Sequence, residues 1–136
     1  MSTLSTLHRL RQFTRRESEL VLARAQEARD AQMAVMAALH ERLRASRDAI
    51  DPDDAAALAG WHAWRLRMEM EQRREGARLA QRERDLDVAL RVHQKNVRDE
   101  LSLEKLIESK HEEARLEAAR KDTRVLDEVG ARRSSA

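Results

Sequence analysis

The chain has 136 residues, of which 38% are charged and 2% aromatic, with 3 glycines, 1 proline and no cysteine. That composition excludes disulfide scaffolds and thiolate metal sites and is too poor in bulky apolar residues for the broad core of a globular enzyme. It suits long helices that bury only a narrow stripe. The net charge of +2 is too small to mark a nucleic-acid binder.

The opening, M-S-T-L-S-T-L-H-R-L-R, lacks the apolar core of a secretory signal. No apolar run approaches the roughly 18 residues of a membrane span, so the expected location is the cytoplasm. A first helix is predicted over about 5–50. The series Leu4, Leu7, Arg11, Thr14, Ser18, Val21, Ala25, Ala28, Gln32, Val35, Leu39, Arg42, Ser46, Ala49 steps alternately by three and four. That is the heptad spacing of a coiled-coil seam. Leu10, Phe13, Leu20, Met36 and Leu43 widen the stripe.

The strongest punctuation is D-A-I-D-P-D-D at 48–54. Asp51 is suited to capping a helix and Pro52 to its first position, while Asp53 and Asp54 place acid where the helix dipole favours it. A turn is therefore predicted at about 51–53, and the short link makes the flanking helices antiparallel neighbours.

The second helix is predicted over about 54–129, with a looser stripe of Leu79, Leu86, Leu90, Val97, Leu101, Ile107, Ala114, Ala118 and Val125, and with His93 in the seam. Gly76, and less so Gly60, could bend it; a continuous helix is the favoured expectation. At 1.5 Å per residue the two helices span roughly 70 and 115 Å, so the C-terminal end of an unbroken second helix overhangs. Gly130 is placed to end the helix, with a disordered tail over 130–136. The whole, residues 1–136, is one all-α domain: a long two-helix antiparallel coiled-coil hairpin.

Chemistry is hard to place on such a frame. A hairpin has no cleft to hold a pair of carboxylates, and scattered glycines make no phosphate loop. His8, His40, His62, His93 and His111 include no two spaced three or four apart on one helix. No catalytic, cofactor-binding or metal site is therefore expected, and the protein is expected not to be an enzyme. Basic residues interleaved with acids and without stacking aromatics argue against nucleic-acid binding.

Two surfaces stand out. Arg9, Arg11, Arg15 and Arg16 open the first helix without an acid among them, against the dipole. In an antiparallel hairpin they would meet Arg120, Lys121, Arg124, Arg132 and Arg133, giving nine cations against Asp122, Asp127 and Glu128. The result would be an electropositive tip for an acidic partner. In G-W-H-A-W, Trp61 and Trp64 share a helix face that Leu58 and Met68 extend. This patch could pack on Leu39, Leu43 and Ile50 or be offered to a partner.

The opening Leu4-S-T-Leu7-His8-Arg9-Leu10-Arg11, the closing Leu126-Asp127-Glu128-V-G-A-Arg132-Arg133 and the aromatic segment after the turn resemble FliJ-type proteins of type III export, in the flagellum and the injectisome. The resemblance covers nearly the whole chain. It departs at Asp122 and Thr123, where the family often has glutamate, and in an alanine-rich first seam. It implies a stalk like the rotary γ subunit of F-type ATPases, with both termini in the pore of the hexameric export ATPase, promoting ring assembly and activity. Arg9, Arg11, Arg15, Arg16, Asp127, Glu128, Arg132 and Arg133 would face the ATPase. Trp61, Trp64 and Met68 would face the cytoplasmic ring of the export gate or an export chaperone. Such a protein sits in the cytoplasm at the inner-membrane export apparatus, peripheral to the membrane through its partners only. The competing expectation is a structural coiled-coil adaptor or scaffold unrelated to secretion.

Overall fold

A computed structural model describes residues 2–135. Two helices make up the fold, α1 over Thr3–Asp48 and α2 over Ala55–Ser134. They pack against each other, and no strand occurs among the described residues. The protein is all-α and its helices form a hairpin. The chain divides into two compact units, one of residues 1–15 with 95–136 and the other of 16–94.

The 16–94 unit contains the turn and both arms beside it. Residues after Asp48 leave the helix because Pro52 cannot donate and disfavours helical geometry at Asp51. The Asp51 side chain accepts from the Asp53 amide at 2.9 Å and its carbonyl accepts from the Asp54 amide at 3.2 Å. The cap of α2 is Asp54, whose carboxylate accepts from the Ala57 amide at 3.1 Å. The sequence placed this cap at Asp51. Asp51 instead closes the turn on itself, and the cap falls three residues later, at Asp54.

Pairings in this unit run antiparallel, with numbers falling on α2 as they rise on α1. Ser18 Oγ lies 3.0 Å from His93 Nδ1. Gln32 donates to the Glu75 carbonyl at 3.0 Å and to its carboxylate, and Trp61 donates to Ser46 Oγ at 3.1 Å. The seam is correspondingly polar: Ser18 and Glu75 are buried beside Leu39 and Ala89.

In this unit six of the ten predicted seam positions hold. Ser18 and Leu39 are buried and Ala25, Ala28, Gln32 and Ser46 half-buried, but the other four shift by one residue. Leu22, Met36, Leu43 and Ile50 turn inward, whereas Val21, Val35, Arg42 and Ala49 are exposed. Leu20 is exposed as well. The predicted 3-4 stepping and the observed 4-3 stepping share every second member, and apolar residues adjacent to both obscured the choice.

On α2, Leu79 and Leu86 are half-buried as expected, Leu90 is exposed, and His93 does lie in the seam. Gly76 sits inside an uninterrupted helix, with Met36 Cε 4.0 Å from where a Cβ would stand. Gly60 is equally helical and opens on empty space.

In the other unit, residues 3–15 of α1 pack on α2 near 96–107. Leu103 and Glu100 are buried there, Val97 and Ile107 half-buried. Leu10, Phe13 and Leu101 are exposed. α2 has 80 residues and α1 has 46, so α2 runs on alone. Every described residue from Glu108 onward is exposed, including the stripe members Ala114, Ala118 and Val125. The predicted end at Val129 is not observed. Gly130 has no positive φ, and the helix continues through 130–134 to Ser134, where a tail outside the helix was expected. Ser135 makes a turn, its amide donating to the Ala131 carbonyl at 3.2 Å, and Ala136 lies outside the described residues.

Candidate functional site

The first sequence-predicted site, the basic tip, is not assembled as expected. α1 begins against Ile107–His111: Ser2, Leu4, Ser5 and His8 line one cavity with Ile107, Lys110 and His111. Arg11 reaches Asp99 at 3.5 Å, and Arg15 bonds the buried Glu100 carboxylate. Both arginines therefore clamp α1 to α2. Asp127, Glu128, Arg132 and Arg133 lie on the bare part of α2. Asp127 is 28 residues beyond Asp99, roughly 42 Å along a helix rising 1.5 Å per residue.

Arg9 is exposed on α1, and Arg16, also exposed, falls in the 16–94 unit. The physical reason is arithmetic of helix length: a hairpin brings its two ends together only when its arms match.

The bare segment of α2 is balanced in charge. Residues 112–134 hold six acids and six cations, many of them joined along the helix. Arg115 holds Glu112 through two bonds of 2.6 and 3.1 Å, and Arg120 approaches Glu117 at 4.0 Å. The Arg115 guanidinium keeps the Glu112 carboxyl below its usual range. Such spaced pairs give an exposed helix weak support along its surface. Ala114, Ala118, Val125 and Val129 carry the packing stripe onward past the start of α1, with Leu126, 70% exposed, beside it. The sequence named this stripe as far as Val125, and the unequal helix lengths pointed to the overhang that leaves it open.

The second site lies wholly in the 16–94 unit. Trp61, Trp64 and Met68 are half-buried, at the inner edge of α2. The Trp61 indole N–H donates to Ser46, which itself donates to the Leu43 carbonyl at 2.7 Å. Arg65 lies 5.5 Å over the Trp61 ring, and His62 meets its edge at 5.1 Å. Trp61 lines one cavity with Leu43 and His40 and another with Ile50 and Leu58. Trp61 thus lies beside Leu43 and Ile50, and its hydrogen bond to Ser46 ties it to the end of α1. Leu66 and Met70, which the sequence did not single out, are the exposed apolar residues of this stretch.

A third grouping was missed. His8, Glu100 and Glu104 bring one ligand atom each within 4.8 Å of one another. Spacing within one helix gave no histidine pair, because this set is drawn from both helices. The readable signal was the i, i+4 glutamate pair on α2.

These features define an all-α coiled-coil hairpin with one uncovered arm. Comparison with protein-family models, with characterised proteins and with solved structures gave no match. No helix among the described residues is long and apolar enough to cross a membrane.

Proposed function

We propose that this protein is a non-catalytic stalk of a type III protein export apparatus. Its long arm docks in the hexameric export ATPase, promotes the assembly and activity of that ring, and links it to the export gate. The observation that carries this reading is the uncovered end of α2. Residues 112–134 continue the packing stripe with every residue exposed, and a helix of this length draws most of its stability from packing an amphipathic face. The FliJ-like opening and closing segments support the same assignment.

The ATPase contacts fall on the long arm, at Asp127, Glu128, Arg132 and Arg133, with Arg9 exposed further back. Arg11 and Arg15 act by holding α1 in place. The gate or chaperone contact uses the outer edges of Trp61, Trp64 and Met68 beside Leu66 and Met70. The protein works in the cytoplasm, at the membrane only through these partners.

The test is stimulation of the purified export ATPase of the same cell. The full chain should raise the hydrolysis rate, and a chain lacking 112–136 should remain helical and lose the effect. Full stimulation by the shortened chain, or none by the intact one, would refute the docking and leave a structural adaptor.

A further inference from the structure

The cluster of His8, Glu100 and Glu104 shares only the Arg15–Glu100 bond with the contacts that clamp α1 to α2. Glu100 and Glu104 are one turn apart on α2 and point to the same side; His8 faces them from α1. His8 Nε2 lies 3.3 Å from Glu104 Oε1. A tetrahedral ion with bonds of about 2.0–2.1 Å separates its ligand atoms by about 3.3–3.4 Å. The His8–Glu104 pair therefore already has the spacing of two ligands on one edge of such a site, and the third carboxylate lies within 4.8 Å.

Orientation agrees with that geometry. Glu100 is 7% exposed and its Oε2 receives Arg15, while Glu104 is met by His8. Arg15 also fixes the Glu100 rotamer, as carboxylate partners outside a metal's ligand set commonly do. A water would complete the fourth position of such a site. One imidazole with two carboxylates suits zinc-class transition ions; calcium and magnesium prefer all-oxygen sets.

The geometry points to a divalent transition-metal site at His8, Glu100 and Glu104 that ties the start of α1 to α2. It is independent of the export reading.

Cobalt(II) titrated into the full metal-free chain is the probe, followed by displacement with zinc and by calorimetry with zinc alone. One ion per chain should bind, with the visible absorption of tetrahedral cobalt. Glu104→Gln, which preserves size and a hydrogen bond to His8, should weaken binding at least tenfold, as should His8→Ala. His62→Ala, on an exposed histidine outside the cluster, should bind as the parent chain does. Circular dichroism checks that each variant is helical. If His8→Ala unfolds, Glu104→Gln decides alone. No cobalt band and no zinc heat, or unchanged affinity in Glu104→Gln, would overturn the site. Equal weakening by His62→Ala would do the same.

Discussion

Replacing Leu39 by Ala probes the packing of α1 most directly. Leu39 is 5% exposed, the least exposed hydrophobic side chain among the described residues. The change removes three carbons from the seam, about 2.4 kcal/mol at about 0.8 per buried methylene. A cavity term adds little, because its neighbours are half-exposed and can settle inward, so the loss should stay near 2.5 kcal/mol rather than the roughly 5 kcal/mol reached in rigid cores. Val35 is the contrast: one turn earlier on the same helix, it is 42% exposed. Val35→Ala loses about half the burial of two carbons and gains the better helix propensity of alanine, for a net change within about 0.5 kcal/mol. Urea unfolding followed by circular dichroism reads both. With a slope of about 1–3 kcal/mol per molar, Leu39→Ala should lower the midpoint by about 1 M or more, and Val35→Ala should hardly move it. Comparable losses would refute the 4-3 seam and restore the stepping that puts Val35 and Leu39 on one line.

The cap assignment has its own test. Asp54→Ala should cost about 1 kcal/mol in the same urea assay, the usual loss for an acidic cap, and Asp51→Ala should cost less because its bond closes a turn and not a helix. The Glu112 carboxyl, lowered by the Arg115 bond, should titrate below an ordinary glutamate by NMR, and Arg115→Ala should return it to the ordinary range. Since the folded value is the depressed one, the help this pair gives the bare helix is present above the unfolded value and lost as pH falls through the folded one.

The hairpin was legible because its signals are local and redundant. Pro52 among four aspartates leaves little alternative to a turn, and long stretches without glycine or proline leave little alternative to helix. The seam was only half legible. Leu4, Arg11, Ser18, Ala25, Gln32, Leu39 and Ser46 belong to both possible steppings, and what separates them is whether Val21 or Leu22, Val35 or Met36, turns inward. Hydrophobicity hardly distinguishes those pairs, and the seam includes His8 and Arg15, which any apolar count penalises. The basic tip failed for a different reason: it assumes arms that end together, whereas the unequal helix lengths carry the end of α2 away from the start of α1. The His8 cluster was invisible to spacing within one helix because its ligands lie on two.

The polar residues of the seam supply what its thin apolar stripe lacks, a reason to prefer one register. In the 16–94 unit, Glu75 is buried and meets Gln32. A slip of one heptad would set it against Ala25 or Leu39, leaving a buried carboxylate without that donor. Ser18 faces His93, and the same slip would bring Arg11 or Ala25 to the imidazole. In the other unit Glu100 would exchange Arg15 for His8 or Leu22. Glu75 keeps Arg78 of its own helix in any register. The slip therefore removes its Gln32 hydrogen bonds and takes the Arg15 guanidinium from Glu100. Each hydrogen bond lost to a buried charged group costs about 1.5–3 kcal/mol. Alanine-rich helices that would slide on apolar contacts alone are thus held by pairs that each fit at one offset. In the unit of residues 1–15 and 95–136, the Arg15–Glu100 offset sets where α1 begins on α2, and so how much of α2 is left bare.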